Sequence, residues 1–124
     1  MLKEVLLVGA GGFFGSILRY LLSMAISTTF VFNPINLGTL SVNIIGSFII
    51  GFLLSSVSAT HWHFLAIVGF CGGFTTFSTF SLELFFMIKD GHYAHGLLYL
   101  FLSVIICVLF VWIGILLGSY LFKS

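Results

Sequence analysis

Four apolar runs, each long enough to cross a bilayer and joined by very little intervening chain, restrict this sequence to few folds. They cover roughly residues 5–26, 37–57, 64–88 and 97–122, and about 20 helical residues span a hydrocarbon core. The connections are short and polar: FNPIN around Pro34, SATHWH at residues 58–63 and KDGHYAHG at residues 89–96. A chain of 124 residues that is 60% hydrophobic and 6% charged cannot cover a soluble core with polar surface. The expected fold is therefore all-α: one integral membrane domain over residues 1–124 with four transmembrane helices and no soluble domain between them.

Two N-terminal patterns point elsewhere and fail on inspection. Lys3, the apolar run behind it and the small residues near Ala25 resemble a secretory signal, but Arg19 interrupts the run and further spans follow. VLLVGAGGFFG, residues 5–15, looks like a strand entering a dinucleotide-binding turn. Its glycines are not spaced GxGxxG, no acidic residue follows about 20 positions on, and no βαβ sheet fits the chain. Packing between membrane helices explains these glycines better. Gly11 and Gly15, Gly69 and Gly73, and Gly114 and Gly118 are each four apart, and Ser47, Gly51 and Ser55 continue the pattern in the second span. That spacing puts small residues on one helix face, where backbones approach closely.

Lys and Arg mark the cytoplasmic side of a membrane protein. Here Lys3 and Lys123 fall on one side, while Lys89 falls on the other and Arg19 leans toward it. So even a balance leaves the insertion direction undecided, and a chain that inserts both ways can assemble as an antiparallel pair.

The third run holds GFCGGFTTFSTF, residues 69–80, with a glycine pair, four hydroxyl residues and four phenylalanines. Glycine weakens a helix interior by roughly 1 kcal/mol, so Gly72 and Gly73 followed by Thr75 and Thr76 predict a break. Unwound backbone survives at membrane depth only when buried in protein or lining a polar cavity. Carbonyls freed there can hold a cation, and the half-helix beyond presents its positive end to an anion. Phe77 and Phe80, three apart, lie on one side of that half-helix, and ring edges are electropositive. Most of the 16 phenylalanines only pack or touch lipid; the mixture with Ser78 and Thr79 is the sharper signal.

Other spans carry hydrogen-bonding stripes: Thr39, Asn43 and Ser47 in the second, and Tyr99, Ser103 and Cys107 in the fourth. Such stripes turn inward, as helix-to-helix contacts or toward a wet pathway. Asn43, the costliest of them to bury, marks a functional position. Arg19 and Glu83 are the charges well inside the runs and are functional candidates by default, though a mutual ion pair does not follow from their positions. No enzyme site emerges. His61 and His63 lie in one loop and His92 and His95 in another on the opposite side, without an acidic or Cys ligand, and Cys71 and Cys107 have no CxxC spacing.

GTLSVNIIGSFIIGF, FCGGFTTFSTFSLE and the arginine of SILRY together closely resemble the Fluc (CrcB) family of small fluoride channels, over essentially the whole chain. The resemblance implies an antiparallel, dual-topology homodimer in the bacterial inner membrane, passively exporting fluoride through two pores. It also implies a structural sodium ion at the dimer interface, held by backbone carbonyls of Gly72 and Thr75. It assigns Asn43 to the pore, Phe77 and Phe80 to an aromatic box, and Ser78 and Thr79 to hydroxyls beside that box. Tyr99 and Ser103 match a polar track, Cys107 departs from the expected hydroxyl, Arg19 lies near a vestibule and Glu83 near a pore end. The implied partners are fluoride, a second copy of the chain and membrane lipid, with no nucleic acid.

The residues themselves support an anion pathway more than a particular anion. A strongly hydrated ion needs donors to replace its water, and conduction requires that it leave again, which a bare Lys or Arg at the narrowest point would hinder. Two rival functions share the composition. A small proton-coupled multidrug exporter would need an acidic residue central to its pocket, whereas Glu83 sits toward the end of its span. An accessory membrane subunit would use the stripes only to bind partner helices.

Overall fold

The computed structural model describes residues 1–122, so Lys123 of the charge balance lies outside the described residues. Helices α1 (Leu2–Thr29) and α2 (Leu37–Ser56) form the first two spans. The third span is split into α3 (residues 60–74) and α4 (Phe77–Lys89), and α5 (Tyr93–Leu121) forms the fourth. α3 is wound as a π-helix over His63–Cys71 and α5 over Leu102–Ile106. Among the described residues the regular elements are helices, apart from one antiparallel bridge between Phe32 and Ile35.

The four apolar runs coincide with these helices except at Val57, Phe122 and the Thr75–Thr76 break, and the first, third and fourth spans begin three or four residues before their runs. Thr60–Trp62 and the first residues of α5 are helical although they read as loop. What remains between α4 and α5 is Asp90, Gly91 and His92. The turn closes because Gly91 adopts a φ of 82°, which a side chain disfavours. The His92 N–H reaches the Met87 carbonyl at 2.8 Å and the Gly91 N–H reaches Ile88 at 3.1 Å, satisfying the carbonyls that the end of α4 leaves open.

Small residues decide which helices meet. On α1, Gly11 faces the backbone of Leu65 and Phe70, and Gly15 faces the Phe70 carbonyl. From α3 the same crossing is made by Gly69, where an added Cβ would lie 2.6 Å from the Val8 carbonyl oxygen, and by Gly73, 2.7 Å from that of Gly12. The second crossing joins α2 to α5: Gly51 lies against the Val111 carbonyl, Gly114 against that of Phe48 and Gly118 against the Ser55 hydroxyl. Thus the stripes pair first span with third and second with fourth. Lys3 Nζ lies 3.3 Å from His61 Nε2, which puts the N-terminus and the second connection on one side, as four spans require.

A small buried cluster of Ile35, Leu40, Phe80, Met87 and Tyr99 forms where α2, α4 and α5 converge. It seats the half-helix that follows the break.

Candidate functional site

The break falls on Thr75 and Thr76, one residue past the glycine pair. Both threonines are extended, at φ −92° and ψ 155° for Thr75 and φ −147° and ψ 121° for Thr76. Gly72 and Gly73 themselves remain helical. Gly73 is there for its close approach to Gly12, and an added Cβ at Gly72 would meet nothing within 4 Å.

Asn43 of α2 holds the break open. Its Nδ2 donates to the Thr76 carbonyl at 3.0 Å and its Oδ1 accepts from the Thr76 N–H at 2.8 Å. This pair satisfies a backbone unit that would otherwise lie unpaired at membrane depth. The Thr76 hydroxyl then caps α4 by accepting from the Thr79 N–H at 3.2 Å.

Both bonds release carbonyls. In an unbroken helix the Thr76 N–H would close on Gly72 and the Thr79 N–H on Thr75; here those donors go to Asn43 and to the Thr76 hydroxyl instead. The Gly72 and Thr75 carbonyls thus lose their helical donors, and Gly72 lies exposed at the surface of the chain. Oxygen donors of this kind suit a hard cation such as sodium. The neighbouring Gly73 carbonyl is occupied, accepting from Arg19 Nε at 3.0 Å.

Two recesses flank the break. One is an open groove of about 410 Å³ lined by Asn43, Thr76, Phe77, Phe80, Ser103 and Cys107, among others. The Phe77 and Phe80 rings lie 5.7 Å apart, tilted by 49°. Phe80 is buried at 5% exposure, whereas Phe77 stands out at 79%. Phe80 meets the Tyr99 ring at 5.0 Å. The Ser103 hydroxyl, buried beside the groove, has no hydrogen-bond partner among the described residues. No charged side chain among the described residues lines this groove.

The other recess, about 280 Å³, is lined by Arg19, Thr39, Thr76, Thr79 and Glu83 among others. Arg19 and Glu83 are not an ion pair: Arg19 binds the Gly73 carbonyl, while Glu83 is surrounded by neutral donors. Thr39 Oγ1 donates to Glu83 Oε1 at 2.7 Å, Asn36 Nδ2 donates to the same oxygen at 3.0 Å, and the Tyr99 hydroxyl donates to Oε2. Three donors, from α2, its N-cap and α5, offset much of the cost of keeping a carboxylate in a span.

The structure therefore divides the residues that the sequence groups together. Asn43, Phe77, Phe80 and Ser103 line the groove, and Thr79 lines the recess with Arg19 and Glu83. Ser78 is exposed and lines neither, its hydroxyl 3.3 Å from that of Thr76. Tyr99, fully buried, gives its hydroxyl to Glu83 and its ring to Phe80. Cys107 lies beside Ser103 along the groove. Sequence reasoning missed Asn36 and the capping role of Thr76. Asn immediately before an apolar run is an N-cap signal, and Asn36 Oδ1 indeed accepts from Gly38 N at 2.9 Å and Thr39 N at 3.3 Å.

A protein-family model described as "CrcB-like protein, Camphor Resistance (CrcB)" matches residues 6–115. Among similar proteins, one from Methanocaldococcus jannaschii, named fluoride-specific ion channel FluC, is 43% identical over 99% of this chain and 100% of its own. Proteins of the same name from Methanococcus maripaludis and Elusimicrobium minutum are 47% and 41% identical, over 91% and 92% of this chain and 93% and 92% of theirs. With the match running through all four spans and the broken third among them, the chain belongs to the CrcB-like family.

Proposed function

We propose that this protein is a fluoride-selective channel that lets fluoride leave the cell passively and so relieves its toxicity. The observation that carries the reading is the groove beside the broken span, lined by the Asn43 amide, Phe77 and Phe80 with no charged side chain among the described residues, and with the Ser103 hydroxyl buried beside it without a partner there. Such a surface replaces an anion's water without a fixed cation to trap it. The choice of fluoride follows the names of the relatives.

The working unit in this reading is an antiparallel, dual-topology homodimer with two pores, seated in lipid in the bacterial inner membrane. The balanced positive charge of the sequence supports it, as does the exposure of Phe77, a pore residue that one protomer leaves uncovered. Gly72 and Thr75, with carbonyls released at the break on an open face, would hold a structural sodium between the protomers. The sodium would fix the two breaks against each other. Asn43, Phe77, Phe80 and Ser103 serve the anion along the groove; Ser78, Thr79, Tyr99, Arg19 and Glu83 border its course.

The test is purified protein in liposomes loaded with fluoride or chloride salt, the voltage neutralised by a potassium ionophore and anion release read by ion-selective electrodes. Rapid fluoride release without chloride release is expected. Phe80→Ile, which removes a ring edge but keeps an apolar side chain, should lose most of the release while the protein assembles normally. Equal release of both anions, or none from folded and inserted protein, would overturn the reading.

A further inference from the structure

Another cavity of about 390 Å³ is formed by the connection over residues 30–36, α4 and the α4–α5 turn. Its lining includes Asp90, His92 and the connection, all at the end of the spans. This outer cavity and the Arg19 recess share two lining residues, Asn36 and Glu83. Those two are hydrogen-bonded to each other at 3.0 Å. One contact thus forms the common wall between the outer cavity and a recess that reaches Thr76 at the break.

The orientation of the Asn36 amide is dictated by its surroundings. Its Oδ1 accepts from the Ser27 hydroxyl at 2.8 Å and from the Gly38 and Thr39 N–H groups. All three are donors, so the oxygen must face them and the NH2 group must face Glu83. Asn36 thereby ties the end of α1 and the start of α2 to the carboxylate on α4. Without this donor, Glu83 would keep Thr39 on Oε1 and Tyr99 on Oε2 but lose its one tie to the α1–α2 connection.

We propose that Asn36 is a positioning residue of the anion pathway: it holds Glu83 in the wall between the two cavities and keeps that negative charge out of the route past the break. The consequence for transport rests on the channel reading above; the placement of Glu83 does not. Capping and positioning are separable by substitution. Asp and Ser both cap a helix well. Asp at this position turns a second carboxylate toward Glu83, and Ser leaves the carboxylate without its donor. Asn36→Asp combined with Glu83→Gln restores a donor facing an acceptor with the roles exchanged.

In liposomes, Asn36→Asp should slow fluoride release roughly tenfold and Asn36→Ser by a smaller factor. The double variant should recover most of the loss, which a purely structural role for Asn36 would not produce. Independently of transport, infrared spectra should show a carboxylate stretch that Glu83→Gln removes and Asn36→Ser shifts. Parent-like release by Asn36→Asp, no recovery in a folded double variant, or an unmoved band overturns the proposal. A parent that releases no fluoride removes the channel reading instead, and the infrared band then decides the role of Asn36 alone.

Discussion

The crossing of α1 with α3 and the junction of α4 with α2 and α5 draw on the same vocabulary of small and hydroxyl-bearing residues, with opposite results. At the first, Gly11, Gly15, Gly69 and Gly73 bring two backbones into direct contact. At the second, Asn36, Thr39, Asn43 and Tyr99 direct their polar ends at Glu83 and at the unwound backbone of Thr76. Close packing excludes anything between the helices, whereas side chains occupied by one another leave recesses on both sides of the break. Only two residues separate the two regimes, since Gly73 belongs to the crossing and Thr76 to the junction. A membrane helix can therefore change from packing element to pathway wall within one turn.

The largest effect is expected at the crossing. Gly73→Val puts a side chain against the Gly12 backbone, which has no rotamer to retreat to, so it should destabilise the fold by on the order of 3 kcal/mol or prevent assembly. Thermal unfolding and size-exclusion chromatography in detergent would read this, and a parent-like profile would show that the two backbones can separate freely. Next is the clamp. Asn43→Leu leaves the Thr76 N–H and carbonyl unpaired and should cost about 2–3 kcal/mol in the same unfolding assay. Asn43→Asp keeps the acceptor for the N–H but places a negative charge on the groove, so its fluoride release should fall well below the parent's. Conduction equal to the parent would remove Asn43 from the pathway.

A smaller change is expected at Glu83. Thr39→Val removes one of its three donors and should lower stability by about 1 kcal/mol, measured by the same melt; no change would mean that the donor is redundant with Asn36. The smallest is Gly72→Ala. Nothing within the protomer meets the new methyl, so the protomer should shift by less than about 0.5 kcal/mol. If the protein is the dimer proposed above, its loss in an otherwise intact Gly72→Ala protein, read by light scattering, would locate the partner at this face. Substantial unfolding would instead contradict the contrast between Gly72 and Gly73.

Much of the fold was legible because a bilayer removes alternatives. Run length alone located the four helices, and the four-residue spacing of Gly11/Gly15 and Gly69/Gly73 marked the faces that meet. The break was also legible, from glycine and hydroxyl density in the third run. Its place within GGFTT was legible too, but not that the threonines rather than the glycines unwind, since this depends on Asn43, 33 residues away, capturing both polar groups of Thr76. The same holds for Glu83: its charge marked it as a candidate, yet its donors come from residues 16 to 47 positions distant. Ser78 and Thr79, adjacent in sequence, separate onto different surfaces because α4 turns by about 100° per residue.

The sequence by itself determined the solvent, the number of spans and the small-residue faces, because transfer of apolar surface and backbone hydrogen bonding are local and additive properties of a run. Only the tertiary structure decided which carbonyls the break releases, which donors reach Glu83, and that the two cavities beside it share the Asn36–Glu83 pair. Those outcomes depend on where side chains of different helices find their partners, and hydrogen bonds of fixed length are set by helix packing rather than by residue type.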